Sequence, residues 1–202
     1  MNFKSQTNAI DQLKLLAGYD RHSVLIEGVE GCGKTYLVKY YAELLDIEDV
    51  VIIDPTVNSI RDTLNTCYSL SNRIVVGVEN LDLGVFAASS ALLKFLEEPT
   101  PNVYVVITAR NIQKVADTII SRSALISVSP PIQSDVEIYA ANKDNLKFNK
   151  LKHTKLWKPV RSFKDVDLVF KFSPEQQDYY SSLDTLKFTD TVSNVVWYLG
   201  HY

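Results

Sequence analysis

The sequence predicts a doubly wound α/β domain, in which a five-stranded parallel sheet carries helices on both faces. Five short, β-branched apolar runs recur along the first 130 residues, and none of them alternates apolar with polar residues. Runs of this kind are typical of parallel strands that are buried on both sides. The chain has 202 residues, 46% of them hydrophobic, which is enough apolar material for a core. The predicted strands are Ser23–Glu27, Val50–Ile53, Ile74–Val78, Val103–Thr108 and Ala124–Val128.

Apolar residues spaced three or four apart predict amphipathic helices between these strands. The clearest patterns are Leu37, Val38, Tyr41, Leu44 and Leu45, then Ile60, Leu64 and Cys67, then Ala88, Leu92, Phe95 and Leu96. Pro99 ends the third pattern, and Pro130 follows the fifth strand, because proline cannot continue a helix or a paired strand. Domains in which strands alternate with helices in this way bind their ligands at the carboxyl ends of the strands.

Composition and charge exclude several classes of protein. The 21 Lys and Arg residues against 24 Asp and Glu give a net charge of −3, and such a balance with this hydrophobic content excludes a disordered chain. Two cysteines, Cys32 and Cys67, are too few for a disulfide framework and suit a reducing cytoplasm. No apolar run approaches the roughly 20 residues that span a bilayer. We therefore expect a soluble, cytoplasmic protein with no membrane partner.

A phosphate-binding motif follows the first predicted strand. Residues 28–35 read GVEGCGKT, which fills every fixed position of the Gly-x4-Gly-Lys-Ser/Thr pattern between a strand and a helix. Glycines allow backbone amides to approach a phosphate, while Lys34 would reach the β and γ phosphates of ATP and Thr35 would hold Mg²⁺. The predicted nucleotide-binding residues are Gly28, Gly31, Cys32, Gly33, Lys34, Thr35 and Tyr36. The alternative is a Gly-rich strand-to-helix turn that binds no nucleotide.

A second acidic position follows the third predicted strand. Glu79 follows this strand and can serve as the carboxylate that holds Mg²⁺. Its neighbour Asn80 cannot take a proton, and the loss of a general base costs roughly 10²- to 10⁴-fold in rate. Asp82 lies two residues further along and is displaced from that position. The sequence therefore predicts nucleotide binding with weak or absent hydrolysis.

Two further motifs resemble the AAA+ subunits of sliding-clamp loaders. Residues 91–99 read ALLKFLEEP and residues 118–123 read TIISRS, close to the helix and the Ser-Arg-Cys motif of that family. The resemblance implies a hetero-oligomer with other clamp-loader subunits, a ring-shaped sliding clamp and primer-template DNA as partners, and a bacterial or phage-infected cell. It also implies that Arg122 is an arginine finger for the nucleotide of a neighbouring subunit. The alternative for Arg122 is an ordinary surface salt bridge.

The departures from the family pattern indicate a subunit with little activity of its own. Asn80 replaces the family's catalytic glutamate, and Arg110 lies where active members carry a polar sensor, with Thr108 two residues earlier. Both features are similar to the delta-prime type of loader subunit, which donates its finger and hydrolyses little ATP. Ser123 stands where the family has cysteine. A stand-alone AAA+ ATPase or helicase loader, and a non-catalytic scaffold, remain as alternatives.

The last third of the chain differs most from the family. Residues 1–130 are predicted as the nucleotide-binding domain, and residues 131–202 as a small, mostly helical region that is too short for a full lid and collar. Residues 143–164 hold eight Lys and Arg against Asp144 alone, with aromatic residues between them. This basic stretch is either a surface for DNA or an acidic partner, or a solvated helix face with buried aromatic anchors.

Overall fold

The computed structural model describes residues 3–154 and 156–177. Residues 6–130 form one compact unit. Residues 3–5 belong with residues 131–154 and 156–177 in a second unit.

The first unit is built on a five-stranded parallel sheet, which confirms the predicted fold class. Its strands are β1 (Ser23–Gly28), β2 (Asp49–Ile53), β3 (Ile74–Val78), β4 (Val103–Ala109) and β5 (Ala124–Val128). Each strand begins and ends within one residue of its predicted limits. The order across the sheet is β2-β3-β4-β1-β5, so that β1, which leads into the phosphate motif, lies between β4 and β5.

Helices cover both faces of this sheet. They are α1 (Thr7–Gly18), α2 (Lys34–Leu44), α3 (Val57–Tyr68), α4 (Phe86–Glu97) and α5 (Asp117–Ile120). Helices α1 and α2 pack with Val24 and Ile26 of β1 in one core, whereas α3, α4 and α5 pack with Leu25 in the other. Successive strand residues point to opposite faces, so both cores draw on the same strands.

Helix α1 was not among the predicted helices. Its apolar residues Ile10 and Leu13 are spaced by three and are almost fully buried, so an amphipathic signal is present in the sequence. The surrounding polar residues of the first turn hide that signal. The apolar face of α1 completes the core that also contains α2.

The continuous apolar runs of the sequence reflect the positions of the strands in the sheet. Every residue of β3 and β4 is buried, because these strands have neighbours on both sides and helices on both faces. The edge strands are different, since Val51 of β2 and Leu125 of β5 are exposed by 39% and 44%. Edge position therefore leaves apolar side chains at the surface without changing the strand prediction.

The second unit has a separate core formed by short helices. They are α6 (Gln133–Lys143), α7 (Asn145–Leu151) and α8 (Phe163–Lys171). The Asp144 carboxylate accepts the Lys147 N–H at 2.9 Å and caps α7. Ser162 and Asp165 form a capping box at the start of α8. The core consists of Val136, Ala140, Leu151, Leu156, Trp157, Val160, Val166, Val169 and Phe172.

The basic stretch of residues 143–164 lies in this second unit. Trp157 and Phe163 are buried, and the Trp157 ring meets Phe148 edge to face. Lys143 forms an ion pair with Asp167, and Lys147 donates to the Phe170 carbonyl. These contacts favour the interpretation as a solvated helix surface with buried aromatic anchors. Lys155, one of its eight cations, lies outside the described residues.

The buried carboxylate of Asp135 ties the first described residues to this unit. Asp135 is fully buried and accepts the backbone N–H groups of Lys4 at 3.0 Å and Ser5 at 2.8 Å. We expect Asp135→Ala to lower the free energy of unfolding by about 2 kcal/mol, because it leaves two backbone donors without a charged acceptor. Urea unfolding measures the change. Asp135→Asn keeps one acceptor and should lose less, and equal stability of all three proteins would contradict the prediction.

Candidate functional site at the carboxyl ends of the strands

The loop between β1 and α2 adopts a tight turn that its glycines permit. Gly31 and Gly33 have φ angles of 75° and 94°, which residues with a Cβ rarely adopt. At Gly28 a Cβ would lie 2.7 Å from the Cys32 Sγ and 3.0 Å from the Val128 carbonyl oxygen, so no larger residue fits without movement. The turn leads directly into the amino terminus of α2, where backbone N–H groups can bind an anion.

Lys34 turns its side chain into this loop. Its ammonium group donates to the carbonyl oxygens of Gly28 at 2.7 Å and Val29 at 3.0 Å. Lys34 is only 7% exposed. Burial lowers the pKa of the Lys34 ammonium below its usual value, and the positive charge of Arg110 acts in the same direction. A negatively charged phosphate group would oppose both effects.

Thr35 and Glu79 come together across the site. The Thr35 hydroxyl donates to the Glu79 Oε1 at 2.5 Å, which joins the first turn of α2 to the end of β3. A hydroxyl and a carboxylate oxygen are ligands that Mg²⁺ prefers. These groups therefore fit a nucleotide phosphate with its Mg²⁺. The loop and Lys34 would hold the phosphate, and Thr35 and Glu79 would hold the Mg²⁺.

Cys32 and Tyr36, the remaining predicted binding residues, serve the packing of the loop in this structure. Cys32 is fully buried in the core of α1 and α2, and burial raises the pKa of its thiol. The Tyr36 ring is stacked near Tyr40, one turn further along α2, at 6.1 Å between centroids. Both residues shape the loop and the start of the helix, and any contact with nucleotide stays a prediction.

Gln6 supports the loop from behind and was not predicted from the sequence. It is fully buried just before α1, and its side-chain amide donates to the Cys32 carbonyl at 2.6 Å. The contact fixes the loop against the amino terminus of α1. A single glutamine in a polar segment carries no sequence signal of such a role.

Polar residues after β3 and β4 form a network beside Glu79. The Asn80 N–H donates to the Thr108 hydroxyl at 2.9 Å, and the Arg110 N–H donates to Asp82 Oδ1 at 2.9 Å. The Arg110 side chain reaches Asn80 Oδ1 from Nε at 3.3 Å. The departures noted in the sequence, Asn80 and Arg110, thus contact each other.

Arg122 lies away from this network. It precedes β5, whereas the phosphate loop follows β1, and the register pairs Val24 with Ala124 and Gly28 with Val128. Strand β5 alone spans about 13 Å at ~3.3 Å per residue, so Arg122 lies at the amino ends of the strands and the loop at their carboxyl ends. The guanidinium contacts the Glu97 carboxylate at 2.9 Å and the Thr118 carbonyl at 3.1 Å.

Comparison with known proteins agrees with these features. The family model for the DNA polymerase III delta subunit matches residues 48–131. A DNA polymerase III gamma subunit-related protein of Thermotoga maritima has a similar structure, with a TM-score of 0.59 and 23% identity over 88% of this chain. Residues 48–131 are therefore similar to this family, and the chain shares the fold of the gamma subunit-related protein. No curated protein sequence matches this chain.

Other solved structures also share the fold of this chain. The Holliday junction branch migration motor RuvB of Thermotoga maritima has a TM-score of 0.58 and 12% identity, covering 82% of this chain and 68% of RuvB. A RuvB variant reaches a TM-score of 0.62 at 13% identity, covering 95% of this chain and 68% of the variant. This chain spans 64% of the length of the gamma-related protein. Within residues 3–154 and 156–177, no helix combines the length and apolarity needed to cross a bilayer.

Proposed function

We propose that this protein is a delta-prime-like subunit of a hetero-oligomeric clamp loader. It binds ATP with Mg²⁺ at residues 28–35 and Glu79, hydrolyses it weakly, and offers Arg122 to the nucleotide of a neighbouring subunit. The assembly places a ring-shaped sliding clamp on primer-template DNA in the cytoplasm of a bacterial or phage-infected cell. The observation that carries the proposal is the separation of Arg122, at the amino ends of the strands, from the phosphate loop at their carboxyl ends.

This separation supports action on a second subunit. A guanidinium that stabilises the charge of a transferring phosphate must contact that phosphate. Arg122 lies at the amino ends of the strands, whereas its own loop lies at their carboxyl ends. The Arg122 side chain is 37% exposed beside Glu97. A neighbouring subunit can therefore reach it, whereas the nucleotide of the same chain cannot.

The surroundings of Glu79 support weak hydrolysis. Asn80 contributes an amide where hydrolysis needs a carboxylate, and its oxygen accepts the Arg110 Nε–H. The Asp82 carboxylate, the other candidate base, is held by the backbone N–H of Arg110. Asn80 therefore cannot take a proton from a water molecule.

The second unit supports a reduced lid. We assign residues 1–130 to the nucleotide-binding domain and residues 131–202 to a lid-like region, of which residues 131–154 and 156–177 are described. Helices α6, α7 and α8 share one core of their own. Three short helices with a shared core fit a lid.

An exposed apolar segment at the start of α4 supports a protein partner, which we assign as the clamp. Leu83, Val85 and Phe86 are exposed by 58%, 64% and 80% within four residues. Adjacent exposed apolar residues mark protein interfaces. We expect Phe86→Ala to weaken clamp binding about tenfold, as loss of a central aromatic anchor does. Leu146→Ala, which removes an equally exposed apolar residue of the second unit, is the control, and surface plasmon resonance measures both. Equal affinities would refute this interface.

Native mass and co-purifying proteins test the proposed function. The chain is tagged in its native host and purified gently, and native mass spectrometry identifies the assembly. Recovery with a second AAA+ protein and a ring-shaped clamp, at a mass near five subunits, is the expected result. Recovery alone with robust ATPase activity would overturn it in favour of a stand-alone ATPase.

A further inference from the structure

Glu30 places a carboxylate inside the loop that is proposed to bind phosphate. It occupies one of the motif positions that accept any residue, between Gly28 and Gly31. Its side chain is 42% exposed and forms an ion pair with Arg110, with 2.7 Å between Oε2 and Nη1. A nucleoside triphosphate carries several negative charges, so a carboxylate in this loop opposes its binding unless a cation offsets it.

Arg110 is well placed to do more than offset that charge. Its backbone N–H is fixed by Asp82 and its Nε by Asn80, the residue after Glu79. The guanidinium therefore extends from the end of β4 past the Asn80 amide to Glu30 in the loop. Guanidinium groups bind phosphate and carboxylate with the same fork of N–H donors. Glu30 and a bound phosphate would compete for the same side chain.

We propose that Glu30 and Arg110 form a displaceable ion pair that sets nucleotide affinity and favours triphosphate over diphosphate. In this structure Glu30 holds Arg110. A terminal phosphate beside Glu79 takes over the guanidinium from Glu30, whereas a diphosphate lacks the group that lies on that side of the site. This inference rests on the proposed nucleotide binding, and it assigns Glu30 as an internal competitor of the ligand.

The competition predicts opposite effects for the two partners of the ion pair. Glu30→Gln removes the competing charge and keeps the shape, so the dissociation constant for MgATP should fall about fivefold. Arg110→Ala removes the guanidinium that would bind the terminal phosphate. The dissociation constant for MgATP should therefore rise about tenfold, while that for MgADP changes less than about twofold. A purely structural ion pair that braces the loop predicts weaker binding for both variants.

Isothermal titration calorimetry of the full chain with MgATP and MgADP decides between these two cases. Thermal unfolding without nucleotide checks that each variant is folded, and Arg110→Lys, which keeps the charge without the fork, should lie between wild type and Arg110→Ala. Tighter MgATP binding by Glu30→Gln, together with a selective loss by Arg110→Ala, is the expected result. Weaker binding by Glu30→Gln, or equal losses for ATP and ADP in Arg110→Ala, would overturn the inference alone. A wild-type chain that binds neither nucleotide would overturn the proposed function as well.

Discussion

Replacing Lys34 by alanine should raise the dissociation constant for MgATP at least about a hundredfold, since it removes the buried cation of the phosphate loop. The Lys34 ammonium is held among the loop carbonyls of Gly28 and Val29, at 2.7 and 3.0 Å. Buried charges interact with an anionic ligand far more strongly than solvated ones do. Titration calorimetry with MgATP measures the loss.

Lys39 provides the matched control for this experiment. It lies on the same helix α2 but is exposed, so Lys39→Ala removes an equal charge away from the loop. We expect its affinity for MgATP to equal that of the wild type. If Lys34→Ala and Lys39→Ala bind MgATP alike, the loop is only a strand-to-helix turn, and nucleotide binding at residues 28–35 is refuted.

Replacing Arg122 by alanine should lower ATP hydrolysis at the neighbouring subunit's site in the assembled loader by about 10³-fold, the usual contribution of a finger that acts on a neighbouring site. The isolated variant should bind MgATP as the wild type does, because Arg122 and the loop lie at opposite ends of the strands. Steady-state ATPase assays of the reconstituted complex measure the first effect, and calorimetry of the isolated chain measures the second.

Two further variants separate a finger from an ordinary salt bridge. Arg21 is exposed and precedes β1, the neighbour of β5, so it also lies at the amino ends of the strands. Arg21→Ala is therefore a control that removes the same charge at the same end of the strands. Glu97→Gln removes the partner of Arg122 but leaves the guanidinium in place. If Arg122→Ala affects the complex no more than these two variants do, Arg122 is a surface residue with a contribution below about 1 kcal/mol.

Local patterns determined most of the first unit. The continuous apolar runs identified all five strands, because β3 and β4 are covered on both faces and even the edge strands keep their β-branched residues. The phosphate loop was predicted because its glycines, lysine and threonine have fixed spacing, and Gly31 and Gly33 do adopt the positive φ angles that such a turn requires. Helix α1 escaped prediction because its few apolar residues stand among polar ones.

The contacts that give the site its character depend on the tertiary structure. Glu30 occupies a motif position open to any residue, and only the pairing of β1 with β4 brings Arg110 beside it. Gln6 reaches the loop because α1 packs against α2. The parallel pairing of β5 with β1 places Arg122 at the end of the strands opposite to the phosphate loop. Spacing along the chain encodes turns, periodicity and strand content, whereas strand order and side-chain pairing arise from the packing of residues distant in sequence, which no local pattern records.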